Sequence, residues 1–250
     1  MKIFLNYIFG FIIFILFWWT IQYLTNSPSY ILPSPYKVFL SIKNNFFLLS
    51  YHSLITFFEI ILGFILGVIL GMYTGILLIT SKSMRKWMLP FIIITQAIPI
   101  FAIAPILTLW VGYGLWSKII MTTLIIYFPI TIAFYDGLKR IDPMIINLAK
   151  IMGANTYSML IKIRIPFALP QLSSGLKLAA AFAPMGAVIG EWVGSSEGLG
   201  YLMLYASGRV QIDLMFSSII ILAFFTILLY NLVSFISNYI TRWDPKSHIN

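Results

Sequence analysis

Six long apolar stretches constrain this chain more than any other feature. A helix needs about 20 apolar residues to cross a bilayer, and each stretch has about that length or more. The stretches are continuous and lack the alternation of a membrane β-barrel, so helices are expected. Hydrophobic residues make up 60% of the chain and charged residues 9%, against about 25% charged in soluble proteins. The sequence therefore predicts an all-α, polytopic membrane protein with about six transmembrane helices, at residues 4–24, 52–79, 88–111, 117–135, 172–192 and 213–239.

The distribution of Lys and Arg predicts the orientation. With the N-terminus inside, 12 of the 16 basic residues fall in segments on the inner side, as the positive-inside rule requires. The net charge of +9 is therefore attributed to cytoplasmic loops and not to a nucleic-acid partner. The first apolar stretch continues through Leu24 without an A-x-A-like cleavage site, so an uncleaved span is expected. Both termini are predicted to be cytoplasmic.

The segment 136–170 differs from its apolar neighbours. It carries five Lys and Arg residues within 35 positions, too many for a lipid environment. Asp142 can cap a first helix, which Gly153 can end. A second short helix capped by Thr156 is expected to stop before Pro166. The pattern predicts a helix-Gly-helix element that docks a cytoplasmic partner.

Residues for catalysis are missing from the sequence. It has no cysteine and no G-x-x-x-x-G-K-[ST] phosphate-binding loop, which excludes thiol chemistry and an ATPase site of its own. The two histidines, His52 and His248, lie far apart, so no metal site is expected. We interpret the chain as a protein without enzymatic activity or a cofactor of its own.

Two carboxylates fall at membrane depth and are candidates for a translocation pathway. Glu59 lies within the second predicted span, where it is either functional, interfacial or paired with a cation. Glu191 lies at the outer end of the fifth span beside Trp192, and the Gly/Ser-rich loop that follows (193–210) holds Glu197. Glu191 and Trp192 could instead lie in outer-face water and the aromatic belt. We retain all four as candidate pathway residues.

Glycines recur at every fourth position in the second span, from Gly63 to Gly75. This spacing gives one helix face a smooth strip that another backbone can approach closely. The strip predicts tight helix packing, either within the chain or at an interface between subunits.

The 136–170 segment resembles the signature of permeases of ATP-binding cassette (ABC) importers. That signature is E-A-A, three residues, Gly, nine residues and I-x-L-P. Ala149, Gly153, Ile163 and Pro166 match it in spacing and identity. Asn147 replaces its leading Glu, which removes one charge from the docking helix. Docking is therefore expected to depend more on shape and on apolar contacts from Ile145, Ile146 and Ile151 than on that charge. The resemblance implies that coupling to an ATPase involves Asn147, Ala149, Lys150, Gly153, Ala154, Ile163 and Pro166.

An ordered series of further motifs extends the resemblance over roughly residues 30–240. Leu32–Pro35, Ile98-Pro99, Trp110–Gly114 and Gly198–Gly200 are similar to motifs of taurine, alkanesulfonate and nitrate permeases. Gly190–Met203 more closely resembles the branch that imports pyrimidine precursors of thiamine.

The resemblance implies a complete transport assembly. It implies the fold of a type I ABC importer permease, formed by a single domain (1–250) with cytoplasmic coupling helices in the 136–170 segment. The expected partners are a second permease copy in a homodimer, two cytoplasmic ATPases that bind ATP and magnesium, and an extracytoplasmic solute-binding protein. The expected location is the bacterial inner membrane. The solute is expected to be a thiamine pyrimidine precursor, with taurine, a sulfonate or another small organic anion as the alternative; an ion-coupled transporter or a membrane enzyme fits the sequence less well.

Overall fold

The computed structural model describes the backbone of residues 2–243 and the side chains from residue 9 onward except residue 11. The polar tail, including His248, lies outside the described residues. Within residues 2–243 every regular element is helical. The helices are α1 (Lys2–Thr25), α2 (Pro35–Asn44), α3 (Phe46–Thr80), α4 (Lys82–Ala97), α5 (Ile100–Val111), α6 (Leu115–Lys139), α7 (Pro143–Ile151), α8 (Thr156–Met159), α9 (Ile165–Gly194), α10 (Leu199–Gly208) and α11 (Ile212–Ile240), with a π-helical segment, Leu160–Arg164, between α8 and α9.

Helix length and composition confirm an all-α, polytopic membrane protein. In the described residues, four continuous helical stretches are long and apolar enough to cross a bilayer: α3, α6, α11 and the run Thr156–Gly194. The bent pair α4–α5 adds a fifth if it crosses as one broken span. The apolar part of α1 described here, Ile12–Thr25, is shorter and overlaps the second half of the first predicted span.

The third predicted span, 88–111, is not one continuous helix. It breaks at Ile98-Pro99, where α4 and α5 meet at 106°. Ile98 adopts an extended conformation (φ −90°, ψ 118°), because the proline ring disfavours helical geometry in the preceding residue. A break of this kind exposes backbone groups, which a membrane protein tolerates only where they are covered by protein or line a cavity.

The second helix of the 136–170 segment does not stop before Pro166, contrary to expectation. From Thr156 the chain stays helical through the π-helical segment and into α9. Pro166 lies in the first turn of α9, and a wider π-turn precedes it, where the helix accommodates a residue that has no N–H to donate. The cap is also shifted by one residue, since Asn155 and not Thr156 accepts the hydrogen bond from the Ser158 N–H, at 2.8 Å.

The described chain divides into two compact units. The first contains the residues up to Thr56 and Ser196–Ala223, and the second contains Phe57–Ser195 and the residues from Phe224 onward. The predicted single permease domain stays a prediction.

In the first unit, the loop predicted at 193–210 contains a helix, α10. Leu202 and Ala206 of α10 are buried in one cluster with Leu49 and Leu214. The Gly/Ser content of this stretch suggested a loop, whereas apolar burial stabilises a helix there.

In the second unit, the glycine strip of α3 packs on α6. A Cβ at Gly63 would lie 2.5 Å from Thr122 Cβ, and a Cβ at Gly71 would lie 2.8 Å from Ile130. Gly67 and Gly75 meet α6 in the same way. The strip therefore serves packing within the chain, the first of the two predicted alternatives.

The second close partner of α6 is α9, which also approaches through small residues. A Cβ at Gly190 would lie 2.9 Å from Lys118 Cα, and a Cβ at Gly186 would collide with Thr122 Cα. Ala179 and Ala183 of α9 are fully buried. Helix α6 is thus held at close range by α3 and by α9.

Candidate functional site: a docking helix and a cavity at a broken helix

The 136–170 segment forms the predicted helix-Gly-helix element. Asp142 caps α7 by accepting a hydrogen bond from the Met144 N–H, at 2.8 Å. Gly153 ends the turn with φ +83°, a left-handed conformation that favours glycine. The Ala154 N–H then donates to Ala149 O, at 2.9 Å, which satisfies a carbonyl at the helix end.

One face of α7 presents large apolar side chains to the surroundings. Met144, Leu148, Ile151 and Met152, the α7 stripe, are between 58% and 84% exposed. Their spacing of four, three and one residues puts them on one side of a helix. Ala149, on the opposite side, is buried. Large exposed apolar patches commonly mark interaction sites.

The predicted coupling residues divide into two groups by exposure. Asn147, Lys150 and Gly153 are exposed, so a partner can reach them. The remaining members are buried or half-buried and belong to the framework of the segment: Ala149, Ala154, Ile163 and Pro166. The role of both groups in coupling stays a prediction.

Sequence reasoning missed part of the exposed stripe. It expected apolar docking contacts from Ile145, Ile146 and Ile151, but Ile145 and Ile146 are half-buried. Met144 and Met152 are each 79% exposed. The signal was the i, i+4, i+7 spacing that begins at Met144, which places an alternative apolar face outward.

A hydrogen bond links the far end of the segment to α6. The Arg164 guanidinium donates from Nη1 to Leu138 O, at 3.0 Å. Leu138 lies in the last turn of α6 and Arg164 directly precedes α9. This hydrogen bond therefore joins the end of α6 to the start of α9.

A cavity of about 810 Å³ lies beside the α4–α5 break in the second unit. Its walls are residues around the break, one face of α6 from Ile125 to Asp136, and one face of α9 from Gln171 to Ile189. The volume is in the range of small-molecule sites. Sequence reasoning did not find this cavity, although two of its X-Pro pairs, Ile98-Pro99 and Phe128-Pro129, were visible.

Glu59 and Glu191 come together with Lys118 in the second unit. Lys118 Nζ lies 3.2 Å from Glu59 Oε1, and the Glu59 and Glu191 carboxyl groups interact with each other. Glu59 is 0% exposed, Glu191 1% and Lys118 7%. We call these three residues the buried triad.

The buried triad shows where Glu59 and Glu191 lie, whereas the pathway role predicted for them, for Trp192 and for Glu197 stays a prediction. Glu59 is paired with a cation, and Glu191 is buried instead of lying in outer-face water. Lys118 is also buried, in the first turn of α6. None of these described side chains lines the cavity, and Trp192 does not line it either.

Glu197 belongs to a separate arrangement in the first unit. It accepts a hydrogen bond from the Tyr51 hydroxyl, at 2.7 Å. The adjacent residue, His52, accepts the Gly198 N–H at its Nδ1, at 3.0 Å. One helical turn after His52, Thr56 Oγ1 accepts the Leu199 N–H, at 2.7 Å. These bonds fix the start of α10, so Glu197 sits on an anchored turn.

Among the described residues, no three His, Asp or Glu side chains converge as metal ligands would.

Comparison with known proteins identifies the family of this chain. Residues 63–243 match the family model of the binding-protein-dependent transport system inner membrane component. A probable ABC transporter permease protein of Haemophilus influenzae is 46% identical over 218 residues, 87% of this chain and 89% of that protein. A formylaminopyrimidine transport permease protein of Halalkalibacterium halodurans is 32% identical, over 91% of this chain and 92% of that protein.

A solved structure shows the same fold. The inward-facing methionine ABC transporter superposes with a TM-score of 0.68 at 21% identity, covering 79% of this chain and 98% of that one. Together with its helices and its 136–170 segment, these matches show that the chain belongs to the inner membrane components of binding-protein-dependent transport systems, the permeases of ABC importers.

Proposed function

We propose that this permease forms the translocation pathway of an ATP-driven importer and docks its ATPase through the α7 stripe. Permeases of this class work with an ATPase and a binding protein. The α7 stripe carries the proposal, because an apolar face this exposed on a charged, protruding segment needs a partner to cover it. The alternative hypothesis, an ion-coupled transporter, does not explain why the α7 stripe is exposed.

The segment is placed to transmit movement. Helix α6 leads into it and α9 leads out of it, and both helices form walls of the cavity. A push on α7 would therefore reach the cavity through two helices that are joined by the Arg164–Leu138 hydrogen bond. ATP-driven closure of the ATPase would in this way change access to the pathway.

The proposed assembly has two copies of this chain and two ATPases, each ATPase binding ATP and magnesium. A solute-binding protein delivers the solute on the outer side. The permease lies in a bacterial inner membrane with both termini in the cytoplasm, an orientation supported by the positive-inside count.

The proposed solute is a thiamine pyrimidine precursor. The support is the resemblance of Gly190–Met203 to that branch, together with the formylaminopyrimidine permease at 32% identity. The alternative is taurine or another small organic sulfonate, since the wider motif series is similar to those permeases as well. Uptake of labelled formylaminopyrimidine against labelled taurine by cells that express the complete system would decide between them.

Docking is tested by placing a charge on the α7 stripe. Leu148→Asp should reduce co-purification of the soluble P-loop ATPase about tenfold or more, because burying an unpaired carboxylate at an interface costs several kcal/mol. Met84→Asp, at an exposed apolar position of α4, is the matched control and should leave co-purification unchanged. Normal assembly of Leu148→Asp would contradict docking through the stripe.

A further inference from the structure

We propose that the cavity beside the α4–α5 break is a solute-selecting site within the permease itself. It takes a planar, uncharged or cationic nitrogen heterocycle and rejects organic anions, with Asp136, Gln96 and Gln171 determining the choice. The inference rests on the proposed function as a pathway subunit and adds a selection step beyond the binding protein.

The broken helix is the first reason. The turn at Ile98-Pro99 interrupts regular backbone hydrogen bonding in a region that α4 and α5 otherwise span. Both residues of the turn line the cavity. In membrane transporters, interrupted helices supply backbone groups to the bound solute.

The shape and chemistry of the walls are the second reason. Three aromatic rings, of Phe101, Phe128 and Phe182, line the cavity, one from each of α5, α6 and α9. Aromatic rings pack favourably against planar heterocycles in offset or edge arrangements. A few polar groups among many apolar ones is the pattern by which small-molecule sites orient their ligands.

The polar groups favour a ligand with N–H donors. Gln96 and Gln171 each offer an amide oxygen and an amide NH₂. The Asp136 carboxylate, when ionised, offers hydrogen-bond acceptors and no donor. An aminopyrimidine has both donors and acceptors on its ring edge, so it can satisfy an amide and a carboxylate together.

Charge is the third reason, and it excludes anions. Among the described residues that line the cavity, Asp136 is the only ionisable one. An anion there would lose hydration without gaining a cation, and it would meet a like charge. Two basic side chains, Lys139 and Arg140, line a separate pocket that shares Asp136 and Gln171 with the cavity. Neither of these basic side chains lines the cavity itself.

A cysteine placed in the cavity tests the proposal directly, because the natural chain has no cysteine. Ser174→Cys, on the α9 wall, is introduced into the complete permease–ATPase complex without the binding protein. Its labelling rate with a water-soluble maleimide is then measured against increasing formylaminopyrimidine or taurine. Ser207→Cys, exposed at the end of α10, reports any general effect of the solutes.

Formylaminopyrimidine should slow labelling at Ser174→Cys several-fold, and taurine should not. Adding Asp136→Asn should raise the half-protecting concentration about tenfold or more, as expected when a hydrogen bond to a charged group is lost. Adding Gln211→Lys, at an exposed position of the first unit, should change nothing, whereas Gln171→Lys should allow taurine to protect.

Three results would overturn the proposal: no protection by formylaminopyrimidine, equal protection by taurine, or protection unaffected by Asp136→Asn. Retention of the ATPase by the same complex is measured alongside. Loss of the ATPase from the unsubstituted chain would refute the proposed function instead, so the two failures are distinguishable.

Discussion

The two sides of α6 differ sharply in how they are used. On one side, glycines of α3 and α9 bring whole helices against Thr122 and its neighbours at van der Waals distance. On the other, the face from Ile125 to Asp136 borders an open cavity of about 810 Å³. The packed side holds the helix in place. The side toward the cavity keeps one close contact, between Gly175 of α9 and Ala133, but leaves room for a solute beside it. One helix can therefore give the pathway a fixed wall.

The charges follow the same division. On the packed side, the buried triad contains an ion pair between Lys118 and Glu59, so its charged groups interact with one another and not with a solute. On the open side, Asp136 is exposed and available to a solute. Intramembrane carboxylates are functional candidates by default, and the predicted pathway role of Glu59 and Glu191 stays a prediction. In the structure these two residues interact with groups of neighbouring helices, whereas the carboxylate that lines the cavity is Asp136.

Removing the cation from the packed side should have the largest effect. Lys118→Met leaves Glu59 and Glu191 buried without their counter-charge, which costs about 3–5 kcal/mol. We expect little folded protein in the membrane and a much lower unfolding temperature in detergent. Lys118→Arg, which keeps the charge, should be far milder. Equal stability of Lys118→Met and the unsubstituted chain would show that the triad does not hold this side together.

Filling the helix contact should have the next largest effect. Gly186→Ala places a methyl group against the Thr122 backbone, and overpacking of this kind costs about 1–3 kcal/mol. The unfolding temperature should fall clearly. Gly10→Ala, in α1 with open space around it, is the matched control and should not lower stability, because alanine favours a helix more than glycine does. If the two variants behave alike, α6 and α9 are not in the close contact described.

Truncating the open side should have the smallest effect on stability. Phe128→Ala removes a half-buried ring that borders the cavity, so it should cost about 1 kcal/mol, less than the 3–5 typical of a core phenylalanine. Solute uptake should nevertheless fall, as the ring forms part of the proposed site. A large loss of stability with normal uptake would reverse the assignment of the two sides.

Much of the helical framework could be predicted from sequence because it depends on local patterns. Continuous apolar runs predicted the spans. Asp142, as a capping residue, predicted the start of α7, and Gly153, which can adopt a left-handed conformation, predicted its end. The glycine strip gave the packing face of α3. Each of these signals acts within a few residues.

The relations between distant segments could not be read in the same way. Glu59, Lys118 and Glu191 meet because close packing at Gly63 and Gly190 sets the register of three helices, and no local pattern encodes that register. Prolines were ambiguous for a related reason. Pro99 follows a break between helices while Pro166 is accommodated inside a helix, and the surrounding packing decides which occurs.

The central claim is that force on the 136–170 segment reaches the cavity through α6 and α9, and the accessibility of Ser174→Cys tests it most directly. In the reconstituted permease–ATPase complex, its maleimide labelling rate is compared without nucleotide and after hydrolysis of ATP in the presence of vanadate, which traps ADP in the ATPase. The account predicts a several-fold change on trapping, which Leu148→Asp abolishes, and no change at the Ser207→Cys control. The claim would be contradicted by an unchanged labelling rate at Ser174→Cys in a complex that keeps its ATPase subunit and hydrolyses ATP.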